Sequence, residues 1–233
     1  MPWTGIDAVI NNEKPMKIQI YAEEIRAGDI CRPLRLLVTP DTLTLWTGQA
    51  FLGEAKQIAR NPACLSACLT ARMAAEGYRP LPHAMEPIAR FAADTPPTLS
   101  REKVCRVSPT QPTLLTHSSA ELAAAGGRGI LREGVLVSAA WAMPDPAGDG
   151  HIREIALETA PAFRRRGLAA ASAAALLCDL ISAGCQPIYR CAEGNTASMA
   201  LAHSLGLRRV GTEYVPAFRR AVPPGRAENE IDV

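Results

Sequence analysis

The feature that most constrains the fold is a charge-free, alanine-rich run that directly follows three adjacent arginines. The run GLAAASAAALLC begins at Gly167, and the arginines occupy positions 164–166. Alanine and leucine are strong helix formers, so the pattern predicts a helix from Leu168 to Ala183. Gly184 is placed to end this helix. The helix therefore opens at a glycine that has three cations beside it.

Such a helix start predicts an anion site. The first N–H groups of a helix have no partner within it, and the helix dipole adds partial positive charge there. Gly167 permits a close approach of the backbone. Together with the mobile cations of Arg164, Arg165 and Arg166, this end of the helix suits an anion of pyrophosphate size. The alternative is an arginine cluster on a solvated helix start. No Gly-Lys-Ser/Thr follows, and the Rossmann glycine triplet is missing.

The elements around this turn predict an α/β domain. A short helix at SSAELAAAG has Ser118 or Ser119 as its cap. Three strands then form an antiparallel meander, with tight turns at Glu133-Gly134 and at PDPAGDG. The strands are predicted at Ile130–Glu133, Val135–Met143 and His151–Thr159. After the alanine-rich helix, the order is a strand at Pro187–Cys191, a helix at Asn195–Leu205 and a strand region at Val210–Arg219.

Residues 1–105 form a separate, helix-rich N-terminal region in this interpretation. LRLLVTPDTLTLW predicts one or two strands around a Thr-Pro-Asp turn. The segment Gly48–Gly77 has a helical pattern with a break at Asn61-Pro62, and a shorter helix is predicted over Ala84–Ala93. We expect a second domain over 106–221 and a disordered tail over 222–233.

Composition excludes several classes of function. The net charge of +2 is too small for a general nucleic-acid binder, and no apolar run reaches the length of a membrane helix. The seven cysteines follow no short repeating frame, which favours a reducing cytoplasm. Cys64 and Cys68 share a helix face, but no further ligands stand at zinc-site spacing, so no metal site is expected.

Two segments together resemble the GNAT superfamily of acetyl-CoA-dependent N-acetyltransferases. EIALETAPAFRRRGLAAASAAALL is similar to the family's strand, Gln/Arg-x-x-Gly-x-Gly/Ala turn and helix, with Arg164, Gly167 and Ala169 in the defined positions. GNTASMALAHSLGL is similar to its Asn-x-x-Ser…Leu-Gly-Phe segment. The resemblance covers about 130–219. It implies a mixed, largely antiparallel central sheet flanked by helices.

The resemblance also implies a site for acetyl-CoA as co-substrate. The donor pyrophosphate would bind the turn, and the pantetheine arm would pair with the strand before it like an added strand. Asn195 and Ser198 would contact that arm or hold the wall of its slot, although Asn195 also reads as a plain helix cap. The residues so implied are Leu157, Thr159, Arg164, Arg165, Arg166, Gly167, Leu168, Ala169, Asn195 and Ser198.

The reaction needs a base, because an ammonium cannot attack a thioester. Glu154 is the candidate on the predicted strand HIREIALET, and it shares strand parity with Glu158. Both glutamates face away from the donor side of a regular strand; a β-bulge would change this. The alternative is a solvated strand face or a partner for Arg153, and His151 is a second candidate base.

The general acid departs from the family pattern. Where many members carry a tyrosine, this chain has Ala202, and the neighbouring His203 points about 100° away on a helix. Tyr214 on the last strand is the candidate substitute, and solvent is the alternative source of the proton.

The acceptor is the least constrained part of the prediction. The first hypothesis is transfer of acetyl to the primary amine of a small molecule; the alternatives are a protein or peptide amine, or a degenerate acyl-CoA-binding sensor or structural protein. Arg128, Arg132 and Arg153 could attract a carboxylate or be plain surface charge. The N-terminal region is a lid, a dimerisation arm that would give a homodimer, or a degenerate second copy of the fold. Nucleic acid and membrane are not expected partners.

Overall fold

A computed structural model of the protein describes residues 17–22, 25–27, 30–61, 64–81, 86–144 and 151–221. The chain divides into two compact units: the first comprises Met1–Pro87 and Glu213–Val233, and the second Ile88–Thr212. The predicted boundary near residue 105 lies within the second unit. The predicted tail over 222–233 and the turn PDPAGDG beyond Pro144 fall outside the described residues.

The described residues of the first unit form two small sheets and two α-helices. Strand β1 pairs in parallel with β5, which pairs antiparallel with β4, and a second sheet has the order β2-β3-β14-β6. The strands are β1 Lys17–Ala22, β2 Ile25–Ala27, β3 Ile30–Arg32, β4 Leu34–Val38, β5 Thr42–Thr47, β6 Tyr78–Pro80 and β14 Phe218–Arg220; the helices are α1 Leu52–Arg60 and α2 Leu65–Ala75. Their apolar residues form one core, in which Leu36, Leu45 and Phe218 are fully buried.

Several local predictions for this region are confirmed. The Thr-Pro-Asp segment joins β4 to β5, where the Thr39 N–H donates to the Thr42 carbonyl at 2.9 Å. The helical segment is interrupted between α1 and α2, as Asn61-Pro62 predicted. A left-handed Gly77, with φ of 79°, ends α2. The region differs from the helix-rich expectation, because short strands outnumber helices among its described residues. β1 pairs with β5 and β14 with β6, and these partners are distant in sequence and left no local signal.

The described residues of the second unit form a seven-stranded sheet with helices. Its strand order is β13-β7-β12-β11-β10-β9-β8, in which β11 and β12 are parallel while the pairs β8/β9, β9/β10, β10/β11 and β12/β7 are antiparallel. The elements are β7 Ile88–Ala92, β8 Cys105–Arg106, α3 Ser119–Ala124, β9 Arg128–Arg132, β10 Val135–Pro144, β11 Ile152–Thr159, α4 Leu168–Ser182, β12 Gln186–Ala192, α5 Thr196–Ser204 and β13 Arg208–Tyr214. The expected α/β class, with a mostly antiparallel sheet flanked by helices, is confirmed.

The turns and caps of this unit follow the sequence closely. Glu133 and Gly134 both have positive φ, as a two-residue hairpin between β9 and β10 requires. Ser118 caps α3, and it forms a reciprocal capping box with Glu121. These residues fix the antiparallel meander that leads to β11.

Helix α4 lies across the sheet because its inner face is made of small residues. Ala171, Ala173 and Ala174 are nearly or fully buried, and the helix contacts β9, β10, β11 and β12. Small side chains allow close approach of a helix to a sheet, while Leu176 and Leu177 supply apolar area. The alanine-rich run thereby fixes the start of α4 at the edge of β11.

The predicted helix over Ala84–Ala93 is wrong. Residues 88–92 form β7, which pairs antiparallel with β12 from Ile188↔Ala92 to Ala192↔Ile88. Pro87 disfavours the helical conformation of the residue before it. Sheet pairing and burial of Phe91 then override the helix propensity of the alanines.

Within the part of the chain that the structure describes, no helix is long and apolar enough to cross a membrane.

Candidate active site

The central feature of the second unit is a gap between two parallel strands. β11 and β12 are paired only at Ile152↔Gln186, Arg153↔Pro187 and Glu154↔Ile188. Both strands continue beyond that point, β11 to Thr159 and β12 to Ala192, without a further register pair between them among the described residues. One edge of β11 is therefore open over its last residues.

The open edge presents backbone hydrogen-bonding groups. The Ala160 N–H donates to the Val137 carbonyl at 2.9 Å, and the β10/β11 register has no shift. Alternate residues of an antiparallel strand direct their N–H and C=O groups to opposite neighbours. Leu157 and Thr159 therefore direct theirs into the gap. In agreement, the Thr159 carbonyl accepts a hydrogen bond from Arg164 Nε at 3.1 Å rather than from β10.

A cavity of about 700 Å³ lies beside this edge. Its walls come from the end of β11, the turn before α4, the start of α4 and the helix α5. It brings together nine of the ten residues predicted for the donor site: Leu157, Thr159, Arg164, Arg165, Gly167, Leu168, Ala169, Asn195 and Ser198. The tenth, Arg166, is not among the lining residues, and its guanidinium lies 5.4 Å from the centre of the Phe163 ring.

The turn before α4 has the geometry of an anion cradle. Pro161–Phe163 form a 3-10 turn, after which Arg165 has φ of 62° and Gly167 has φ of 76°. Left-handed residues at this spacing turn successive N–H groups to one side. Gly167 is the N-cap of α4 and offers no side-chain cap, and a Cβ built on it would meet no atom within 4 Å. There is thus open space beside Gly167 at the start of α4, next to exposed arginines.

Asn195 and Ser198 form the opposite wall. The Asn195 Oδ1 accepts from the Ser198 N–H at 3.0 Å and caps α5, while both residues also line the cavity. Asn195 therefore both caps α5 and forms part of the cavity wall. Ser198 in turn shares a side-chain hydrogen bond with Tyr189 of β12.

Sequence reasoning missed Tyr189. It is 5% exposed and lies beyond the last register pair of β11 and β12. Burial raises the pKa of its phenol, against a smaller lowering by the Ser198 hydrogen bond. The group therefore stays protonated and able to donate. A tyrosine in the middle of a predicted strand carries no spacing signal that would have singled it out.

Glu154 lies in an ion pair instead of an open position. Its Oε2 accepts from Arg190 at 2.5 Å, and its side chain is 12% exposed. The partner is thus Arg190 and not Arg153, whose guanidinium donates to its neighbour's carbonyl, that of Ile152. Glu154 is not among the residues that line the cavity. The β10/β11 register is regular from Arg153 to Thr159, so no β-bulge changes the side to which Glu154 points.

The other candidates for proton transfer lie elsewhere. Tyr214 is 3% exposed and belongs to the apolar core of the first unit. Ala202 is fully buried against the core of the second unit, and His151 is exposed just before β11. Neither Tyr214 nor His151 is among the residues that line the cavity.

Glu158 is the carboxylate that does line the cavity. Its Oε1 accepts from the N–H and Oγ1 of Thr116, at 2.7 and 2.8 Å, and its Oε2 lies 3.1 Å from His117 Nδ1. Burial raises the pKa of the carboxyl, but these hydrogen bonds together outweigh it, so the net pKa is lowered. Sequence reasoning treated Glu158 as a strand-face residue and did not consider His117.

The lowered pKa of Glu158 has a consequence for stability. A carboxyl whose folded pKa lies below its unfolded value stabilises the fold above the unfolded pKa, and this contribution is lost as pH falls through the folded pKa. We expect Glu158→Gln to flatten the decrease in melting temperature below about pH 4.5. Melting curves of both proteins from pH 3 to pH 7 measure this; parallel curves would contradict it.

The remaining sequence candidates have partners within the second unit or show no ligand set. Arg128 forms an ion pair with Asp179, and Arg132 pairs with Glu102 at 2.7 Å. The pKa of Cys64 is raised to about 11, mainly by burial and then by Cys68. No group of three or more metal-ligating side chains is found among the described residues.

Comparison with known proteins agrees with this geometry. Residues 119–215 match the family model of the GNAT acetyltransferase. Among curated proteins, none matches the chain.

The solved structures to which this chain is similar include three GNAT-family or GCN5-related proteins. A GNAT-family acetyltransferase from Novosphingobium aromaticivorans is similar over 63% of this chain and 69% of its own, with 21% identity and a TM-score of 0.52. One from Colwellia psychrerythraea covers 61% of this chain and 57% of its own, with 10% identity and a TM-score of 0.43. A GCN5-related N-acetyltransferase-like protein from Streptococcus suis covers 85% and 86%, with 21% identity and a TM-score of 0.45.

The family match spans the open edge of β11, the glycine turn and the helix α5, which are the parts that form the cavity. Residues 119–215 of the chain therefore match a GNAT acetyltransferase domain.

Proposed function

We propose that the protein is an acetyl-CoA-dependent N-acetyltransferase that acts on the primary amine of a small molecule. The observation that carries the proposal is the cavity that joins the open edge of β11 to the glycine turn of α4. An extended arm with amide groups fits the open edge of β11, and a pyrophosphate fits the glycine turn of α4.

The donor would be held mainly by backbone groups. The N–H and C=O groups of Leu157 and Thr159 can pair with the two amides of a pantetheine arm as a neighbouring strand does. The N–H groups over 165–169 would receive the pyrophosphate, with Arg164 and Arg165 adding charge. The Thr159 carbonyl has a second lone pair, so its hydrogen bond from Arg164 is compatible with this role.

The donor supplies an acyl thioester, and the residues of this chain would manage the protons. A neutral amine forms the new C–N bond while the C–S bond breaks and the thiolate leaves. We assign protonation of that thiolate to Tyr189, which is buried beside Ser198 and is not itself among the cavity-lining residues. Glu154 remains the base proposed from sequence, now in an ion pair with Arg190.

A small cationic acceptor is favoured by charge. Glu158 lines the cavity, and its lowered pKa keeps it ionised at neutral pH. An ionised carboxylate attracts an ammonium group. Small primary amines and peptides with a free amino terminus can be compared as acceptors by measuring the release of thiol from acetyl-CoA. Faster release with the small amines supports this acceptor class over the protein-amine alternative.

We expect acetyl-CoA to stabilise the protein against thermal unfolding, and we expect ATP and NAD not to do so. At about a hundred times its dissociation constant, a ligand adds roughly 2.7 kcal/mol to the free energy of unfolding. Melting curves with acetyl-CoA, ATP and NAD measure this, and a chain of this size should shift by several degrees. An equal shift with ATP would point to a general phosphate site, and no shift with acetyl-CoA would remove the donor assignment.

Tyr189→Phe should lower turnover with little loss of acetyl-CoA affinity, because it removes only the phenolic hydroxyl. General acid catalysis contributes about 10²–10⁴-fold, and solvent can replace part of it. Steady-state kinetics and calorimetry measure the two quantities. Tyr214→Phe is the matched variant: a turnover loss there, with Tyr189→Phe unaffected, would restore the assignment made from sequence.

A further inference from the structure

A histidine is paired with a carboxylate that lines the cavity. His117 Nδ1 lies 3.1 Å from Oε2 of Glu158, which is itself one of the cavity-lining residues. The other carboxylate oxygen, Oε1, is occupied by two donors from Thr116. Both oxygens of Glu158 are therefore fixed, and the carboxylate cannot turn away from the ring.

The charge state of Glu158 sets the tautomer of the ring. Its hydrogen bonds lower the pKa of the carboxyl, so at neutral pH it is ionised and can only accept hydrogen bonds. His117 must then carry its proton on Nδ1. In the neutral ring, Nε2 holds the free lone pair.

The ring is also fixed in orientation while its far side stays accessible. It lies against Trp141, with ring centres 4.6 Å apart and planes at 50°. Trp141 is 7% exposed, whereas the His117 side chain is 48% exposed. The charged groups that face the ring are Glu158 from β11 and Glu121 from α3, the latter held by Ser118. Both are carboxylates with lowered pKa, so two negative charges stand beside the ring.

We propose that His117 is the base of the acetyl transfer and that Glu158 is its positioning residue. This rests on the proposed function. As the amine nitrogen forms its bond to the thioester carbon and the C–S bond breaks, one proton passes from that nitrogen to Nε2 of His117. The imidazolium returns the proton to solvent, and the thiolate leaves and takes up one proton, so that atoms and charge balance. Glu158 stabilises the transient imidazolium.

Two other readings make different predictions. In the first, Glu158 only fastens the segment of Thr116 and His117 to β11. In the second, Glu154 is the base, as its place on the strand suggested. If Glu158 has only a structural role, its substitution should lower stability and leave the pH–rate profile unchanged. If Glu154 is the base, Glu154→Gln should change the pH–rate profile and His117→Ala should not.

The tautomer is testable without knowledge of the acceptor. The chain has four histidines, so the spectrum of ¹⁵N-histidine-labelled protein is simple, and His117→Gln assigns the signal. We expect Nδ1 protonated and Nε2 bare above the pH at which the ring loses its charge. In Glu158→Gln this preference should be lost, because a side-chain amide can donate to Nδ1. An Nε2-protonated ring, or a tautomer unchanged by Glu158→Gln, would overturn the proposal.

Kinetics test the catalytic step with acetyl-CoA as donor and the best primary amine of the screen, or water where no amine reacts. We expect His117→Ala to lower kcat roughly 10²-fold or more, to remove the acidic limb of the pH–rate profile, and to be partly rescued by added imidazole. Glu158→Gln should lower kcat less and shift that limb. His203→Gln, which changes an exposed histidine of α5 outside the cavity lining, is the matched control.

Failure of this proposal is distinguishable from failure of the proposed function. If the unaltered protein does not bind acetyl-CoA in calorimetry, the donor assignment is wrong. If acetyl-CoA binds and thiol is released, but His117→Ala retains full kcat and the acidic limb, then only the role of His117 is refuted. Loss of that limb in Glu154→Gln alone would assign the base to Glu154.

Discussion

Gly167→Glu should abolish acetyl-CoA binding while the fold stays intact. A Cβ at this position would meet no atom within 4 Å, so the new side chain has room, but it stands where the N–H groups of α4 emerge. Its carboxylate would itself occupy that positive end and repel a pyrophosphate. Loss of two charge-assisted hydrogen bonds at about 1.5–3 kcal/mol each predicts an affinity roughly 10²–10⁴-fold weaker, measured by calorimetry.

Gly184→Glu is the matched control for this variant. Gly184 follows the same helix at its other end, has the same φ of 76°, and likewise has no atom within 4 Å of a built Cβ. Both variants place a glutamate in a left-handed conformation that costs about 1–2 kcal/mol. Gly167→Ala adds the strain without the charge. Equal loss of affinity in Gly184→Glu would show that strain rather than anion exclusion is responsible, and retained affinity in Gly167→Glu would refute the turn assignment.

Local signals in the sequence sufficed for the meander and for the helices that follow it. Backbone geometry is imposed on the immediate neighbours by Glu133-Gly134, by the Ser118 cap and by Gly184. The effect of these residues can therefore be predicted without knowledge of the tertiary structure. The same holds for the glycine turn. Its neighbours Leu157, Asn195 and Ser198 became predictable only through a family resemblance, because nothing in residue spacing says that β11 and α5 share a cavity.

The proton-transfer residues could not be found in the same way. Glu154 was chosen from strand parity, but parity gives no information about Arg190, a half-buried arginine on the neighbouring strand β12. His117 and Glu158 are 41 positions apart, and they meet only because the segment before α3 lies over β11. Tyr189 of β12 interacts with Ser198 of α5, a residue nine positions later on another element. Contacts of this kind depend on tertiary packing and have no local signature.

The wrong helix at Ala84–Ala93 has the same cause, and it leads to the second prediction of large effect. Phe91 is fully buried between the sheet and the helices of the second unit, opposite Tyr189 in the β7/β12 register. Its ring makes an edge contact with His203, with centres 5.7 Å apart. We expect Phe91→Ala to lower the free energy of unfolding by about 3–5 kcal/mol, because a large apolar side chain is lost and the cavity left behind closes only in part.

Urea unfolding followed by circular dichroism measures this loss, and two variants calibrate it. Phe91→Leu retains most of the volume and should cost less than about 1.5 kcal/mol. Leu99→Ala removes an apolar side chain that is 62% exposed in the same unit, and should change stability by no more than about 0.5 kcal/mol. Because Met199 and Ala202 of α5 pack in the same cluster as Phe91, Phe91→Ala should also weaken acetyl-CoA binding through the wall that carries Ser198. Equal stability of Phe91→Ala and Leu99→Ala would mean that residues 88–92 lie outside the core. The pairing of β7 with β12, the strand that borders the gap, would then also be wrong.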